Sequence, residues 1–235
     1  MDTCWIFAHP DDEAFGPGLV MAALRRCGHR AHLLTLTRGG ATRLRRHLGL
    51  ERAAMEALRE KELHAACAVL GCASVQVADF PDGGLLHTDR RRLCARVLAF
   101  LRTHRPALVV GFPHHGINGH PDHCVSASVT AQAWWDYQDE QPCRLASLQL
   151  AERAAADWTH GTHGIDPASA DVRMQLDEEH LELGARALAC HASQAAVIRE
   201  HQPLERLGGG LLFQTTAERH APPLRDLLDG LPATG

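Results

Sequence analysis

No stretch of the chain approaches the run of about 20 apolar residues that a membrane helix needs, and its first apolar segment is soon broken by His9, Asp11 and Asp12. A membrane span and a secretory leader are both unexpected on that pattern. A surplus of one charge is missing too: 24 Lys and Arg stand against 28 Asp and Glu, a formal net charge of -4. That balance speaks against a nucleic-acid partner, and the single basic run, at residues 43–46, is offset by Glu51, Glu56, Glu60 and Glu62 and reads as a solvated face. Eight cysteines are scattered singly, with no Cys-x-x-Cys pair. They read as reduced, mostly buried thiols of a cytoplasmic protein, and Cys67 and Cys72, the closest pair, are not expected to bind zinc. There is no Walker loop and no dinucleotide Gly-x-Gly-x-x-Gly, so a nucleotide site is unsupported. No internal repeat or compositional break calls for a second domain. Residues 1–220 are read as one domain and 221–235 as a Pro-bearing, disordered tail.

What the chain does hold is enough for a large core: 235 residues, 45% hydrophobic and 22% charged. Apolar runs alternate with helical patterns through the first half. Strands are predicted at residues 4–8, 31–37, 75–80 and 107–112, and helices at 14–27, 51–70, 90–104 and 121–134. That alternation predicts a doubly wound α/β fold with a mostly parallel sheet flanked by helices. The second half is less regular. Short strands and loops are expected over 139–170, a helix over 177–190 and an edge strand over 211–215.

Histidine is abundant, with 17 residues, so only patterned histidines carry weight. Two patterns stand at predicted strand ends, where ligands bind in parallel α/β sheets. The first is Ala8-His9-Pro10-Asp11-Asp12-Glu13, and the second is His120-Pro121-Asp122-His123 after the fourth strand. An aspartate at a loop-to-helix junction is also an ordinary cap, and Pro before acidic residues an ordinary helix start. If the loops face one crevice, however, His9, Asp12 and His123 supply two nitrogens and an oxygen to one divalent ion and leave a corner for water. Asp11 is then the general base. His120 is the group that protonates the leaving group or steadies an oxyanion, with Asp122 orienting it. Spacing alone leaves His114 and His115 open as alternative ligands. The loop Thr37-Arg38-Gly39-Gly40-Ala41-Thr42 also falls at a strand end and is expected to line the pocket. Asp82 reads as turn former or pocket carboxylate, and Arg59 and Glu62 as a surface pair.

At these residues the sequence resembles the PIG-L, or LmbE-like, family of zinc-dependent N-deacetylases. The two motifs carry the resemblance, with weaker echoes at Leu36-Thr-Arg-Gly39, Arg59-x-x-Glu62-Leu63, Asp79-Phe-Pro-Asp-Gly-Gly84 and His191-Ala-Ser-Gln194. It implies a Rossmann-like fold and removal of an N-acetyl group from an N-acetylglucosamine unit. Zinc would be held by His9, Asp12 and His123, with iron(II) as the other metal such ligands accept. By the same resemblance Asp11 is the base, His120 aids the tetrahedral intermediate, and Arg59 and Asp82 hold sugar hydroxyls. Where the family commonly has Glu after Thr-x-Gly this chain has Gly40, which puts that loop's substrate contact in doubt. Gly40-Ala-Thr-Arg43 and Arg59-Glu-Lys-Glu-Leu63 also look like the branch that deacetylates N-acetylglucosaminyl malate in low-molecular-weight thiol synthesis. A small amino-sugar substrate is therefore the expected partner. Self-association into a homo-oligomer is left open by the sequence. A metallo-esterase acting on another acyl group and a non-catalytic small-molecule binding module are the rival readings.

Overall fold

The computed structural model describes residues 1–156, 162–207 and 210–231. Five parallel strands form the body of the sheet: β1 (Asp2–Phe7), β2 (Arg30–Thr37), β3 (Ser74–Phe80), β4 (Leu108–Gly111) and β5 (Arg144–Ala151). Near-continuous apolar runs make β1, β2 and β4 buried on both faces, as parallel strands covered by crossover helices require. The crossovers are α1 (Pro17–Arg26), α2 (Arg52–Leu70), α3 (Arg90–His104) and α4 (Pro121–Tyr137). Local sequence sets their ends. Asp89 accepts from Arg91 N–H to cap α3, Pro121 opens α4, and α2 stops at Gly71, whose left-handed φ of 75° suits glycine. Trp5, Phe7, Leu33, Val110, Phe100 and Phe213 lie in one core that runs along both faces of the sheet.

The second half adds β6 (Gly164–Ile165), β7 (Val172–Gln175), α5 (Glu178–Cys190), α6 (Ala195–His201) and β8 (Gly210–Thr215). Strand order is β3-β2-β1-β4-β5-β8-β7, with β6 pairing the end of β5. The order reverses between β1 and β4. Their carboxyl-terminal loops therefore open a crevice between them, as the strand-end motifs anticipated.

Three expectations are corrected. Besides the short β6, the 139–170 segment holds an unforeseen eight-residue strand inside the sheet, β5; its residues 157–161 lie outside the described ones. The sequence hid this strand because Arg144 and Gln149 interrupt its apolar run, although both are buried. Arg144 is satisfied only by tertiary partners: the Glu218 carboxylate and the Leu227 and Asp229 carbonyls. Strand β8 is not an edge, because β5 and the unforeseen β7 flank it with antiparallel pairing. Nor is the end of the chain loose as far as it is described. Leu227 is fully buried, and Leu224 exchanges backbone hydrogen bonds with Asp171 and Arg173.

Candidate active site

β1 ends at Phe7, and the next six residues carry the first motif into a turn before α1. Asp12 folds back over this turn, its Oδ2 accepting from the N–H groups of His9 (2.7 Å) and Ala8 (3.2 Å). The second motif arrives from the turn after β4, whose strand pairs directly with β1. His123 is fixed twice: its ring stacks on Phe112 with centroids 4.2 Å apart, and its Nδ1 lies 3.2 Å from the Gly116 carbonyl. Gly116 has φ +66° and sits so close that a Cβ there would come within 2.8 Å of His123 Cβ.

Residues 114 positions apart in sequence thus meet. His9 Nδ1 is 3.2 Å from His123 Nε2, and Asp12 offers one oxygen to each ring, at 3.6 Å and 3.4 Å. On its far side His9 Nε2 faces Asp82 Oδ1 at 3.2 Å and Asp122 Oδ2 at 3.3 Å. Those carboxylates keep the proton on Nε2, and the Gly116 carbonyl keeps one on His123 Nδ1. Two imidazole lone pairs and a carboxylate are then turned toward one point, an arrangement that a cation relieves. Without a metal a proton takes that place. Burial alone would lower the His9 pKa, but Asp122, Asp82 and Asp12 outweigh it and lift it to about 10. Asp12 is held well below the usual carboxylate range by His123 and His9, again against burial.

With one donor atom per residue, two groups come within 4.8 Å among the described residues: His9, His120 and His123, and His9, Asp82 and Asp122, with Asp12 in neither. Neither His114 nor His115 belongs to such a group; those rings face each other and His163 instead. His120 stands beside both His9 and His123, with ring centroids 4.9 Å from the first and 4.8 Å from the second. Its Nδ1 accepts from the Asp122 N–H at 3.2 Å, which leaves the proton of the neutral ring on Nε2. Burial and the neighbouring imidazoles lower its pKa. The expectation that the Asp122 carboxylate orients His120 is corrected. That carboxylate is buried and accepts from Gly83 N–H (2.7 Å) and Leu85 N–H (3.1 Å) while facing His9, so it orients the histidine of the other motif.

Asp11 points its Oδ2 at Arg59 Nη2, 2.8 Å away. Burial raises its pKa, and Arg59 opposes that rise without cancelling it. Arg59 and Glu62 are not a surface pair: both are buried, on different partners. Arg59 also donates to the Gly39 carbonyl (3.0 Å) and the Pro10 carbonyl, and Glu62 accepts from Ser193 N–H (2.8 Å) and Oγ–H (2.6 Å). Asp82 has its other oxygen on Ala41 N–H at 2.6 Å. Arg59 and Asp82, which the resemblance gives the task of holding sugar hydroxyls, line the cavity, and most of their polar atoms are engaged in building it.

A cavity of about 430 Å³ opens over the cluster. Its lining includes Ala41 and Thr42 of the glycine-bearing loop, as expected, and Leu148 and Leu150 of β5, from the 139–170 stretch also expected to wall the pocket. Sequence reasoning gave no role to Glu13 or His191, although both were quoted in motifs. The signal was a third acidic residue directly after the aspartate pair. At Gly40, a Cβ would collide with Glu56 Cγ at 2.5 Å, so the side chain missing there is replaced in space by a glutamate from α2.

Residues 4–134 match the PIG-L family, described as GlcNAc-PI de-N-acetylase. The chain belongs to the PIG-L family. As a member it is a deacetylase. A relative named 1D-myo-inositol 2-acetamido-2-deoxy-alpha-D-glucopyranoside deacetylase, from Acidothermus cellulolyticus, is 30% identical over 82% of this chain and 79% of its own length. The zinc-inhibited form of the teicoplanin deacetylase Orf2 superposes with a TM-score of 0.70 at 17% identity, covering 93% of this chain and all of that one. The 4-carboxy-2-hydroxymuconate hydratase GalB superposes almost as well, with a TM-score of 0.68, 18% identity and coverage of 93% and 98%. One fold therefore carries unlike chemistries, and structural likeness at such identity establishes the fold alone.

Proposed function

We propose that this PIG-L member hydrolyses the acetamide of an N-acetylglucosamine conjugate, using a divalent ion held by His9, Asp12 and His123. The observation that carries the reading is the 3.2 Å approach of His9 Nδ1 to His123 Nε2 with Asp12 facing both rings. Two imidazoles and one carboxylate suit zinc or iron(II) and leave a position for water, the mark of a catalytic rather than structural site. Bound there, the ion supplies Lewis acidity toward water and the amide carbonyl. Asp12 is preferred to His120 as third ligand because its carboxylate is fixed by two backbone N–H groups and stays ionised, whereas His120 keeps its Nε2 proton for other work.

The chain's own groups divide the remaining tasks. Asp11, at the cavity wall, accepts a proton from the attacking water while the Arg59 guanidinium holds its carboxylate in place. His120 Nε2–H donates a hydrogen bond toward the carbonyl oxygen as negative charge develops, and the proton that Asp11 took from the water passes to the leaving amine. Asp122 and Asp82 keep His9 in the tautomer that the site needs.

The substrate to test first is the glucosaminyl inositol conjugate for which the relative is named, with N-acetylglucosaminyl malate second. A soluble enzyme acting on a small cytoplasmic metabolite fits both. Protein reconstituted with zinc, and separately with iron(II), should release acetate from at least one of the two. Release from neither would leave a binding module, and faster cleavage of a matched O-acetyl ester would favour the esterase reading.

A further inference from the structure

Next to the catalytic aspartate lies a carboxylate that never sees the cavity. Glu13 and His191 are both fully buried, and Glu13 Oε1 is 2.6 Å from His191 Nε2. Burying a carboxylate is costly unless it is paired and hydrogen-bonded, and one histidine already serves the pairing. The second oxygen, Oε2, accepts from the backbone N–H of Asp11 at 3.0 Å. Asp11 has φ 109°, a left-handed conformation that side chains rarely adopt and that persists only where surrounding contacts enforce it. His191 is anchored in turn, because the Ser193 two residues on is held by Glu62 of α2, the helix that also carries Arg59. The His191 Nδ1 has no hydrogen-bond partner among the described residues, so its one useful contact is the one with Glu13.

We infer that Glu13 and His191 are a positioning pair that locks the strained backbone of Asp11 and so aims its carboxylate at the reacting water. The inference rests on the reading of Asp11 as general base. Glu13 grips Asp11 through the main chain and Arg59 grips it through the side chain, so the two fix it from opposite ends. The His191-Ala-Ser-Gln194 segment, 178 residues from Glu13, acquires a purpose on this account: it closes the back of the general-base turn.

The test compares Glu13→Ala with Glu13→Gln in the zinc-loaded protein. Glutamine can still accept from the Asp11 N–H, whereas alanine cannot. Glu13→Ala should keep its zinc and a KM within threefold on the glucosaminyl inositol conjugate, while kcat falls at least 100-fold. Glu13→Gln should recover at least tenfold of that loss. Hydrogen exchange of the Asp11 amide, read by NMR, should accelerate at least 100-fold in the alanine variant and stay slow in the glutamine one. If the wild type cleaves no substrate, the functional reading fails, yet the exchange experiment still decides the positioning role. Should Glu13→Ala not fold, Glu13→Asp, one methylene too short to reach both partners, carries the same expectations. An alanine or aspartate variant with kcat within threefold of wild type overturns the inference. So does a loss confined to KM or zinc content, unchanged Asp11 exchange, or a glutamine variant no better than alanine.

Discussion

Asp11 and Asp12 are adjacent, alike in chemistry and opposite in circumstance. Asp12 lies between two imidazoles that hold its pKa down, while burial pushes that of Asp11 up despite Arg59. One is thereby suited to hold a cation and the other to take a proton, a division that environment imposes on like groups. Asp11→Asn keeps the hydrogen bond from Arg59 but cannot accept a proton. It should bind metal normally and lose about 100-fold or more in kcat, measured by acetate release beside metal analysis. His120 gives the complementary case. Asp12→Ala and His123→Ala should both purify without stoichiometric metal, whereas His120→Ala should retain it and lose turnover; metal loss on removing His120 would make it the third ligand in place of Asp12.

At the scale of elements, the site depends on how two strand ends are shaped. The turn after β4 brings His123 into place through Gly116 at φ +66°, and Ile117 beside it is held at φ 66° although β-branched residues resist that conformation. A Gly116→Ala substitution imposes a backbone penalty and a 2.8 Å clash on His123 Cβ. It should weaken metal binding by about tenfold or more, because the same turn supplies the carbonyl that orients His123. Competition with a chelator of known affinity measures that loss, and unchanged affinity would show that the turn yields at little cost. Elements also explain why β5 and β8 were misread: each takes its stability from neighbours that the local pattern does not reveal.

Across the whole molecule, the end of the sheet opposite the cavity carries its own electrostatic fastening. Asp2, opening β1, accepts from Arg30 Nε (2.8 Å) and Nη2 (2.7 Å) and lies 2.7 Å from His32 Nε2, both on β2. Burial acts to raise its pKa, but Arg30 and His32 outweigh this and the net shift is downward. A carboxylate whose pKa is lower folded than unfolded contributes stability above the ordinary value of about 4, and that contribution disappears as pH falls through the folded value. Asp2→Asn should therefore be less stable than wild type at pH 7, and the two denaturation midpoints should converge as pH drops below about 4; a constant gap from pH 7 to pH 2 would remove Asp2 from the acid response. What the sequence determined unaided was the alternation of β1 to β4 with their helices and the two strand-end motifs, because periodicity and the chemistry of adjacent side chains are local properties. Only the tertiary structure decided the partners: that Asp122 serves His9, that Arg59 holds Asp11, that His191 reaches Glu13 and that β7 covers β8. Each of those contacts joins residues far apart in the chain, and burial, which turns such a contact from incidental to necessary, exists only once the chain has folded.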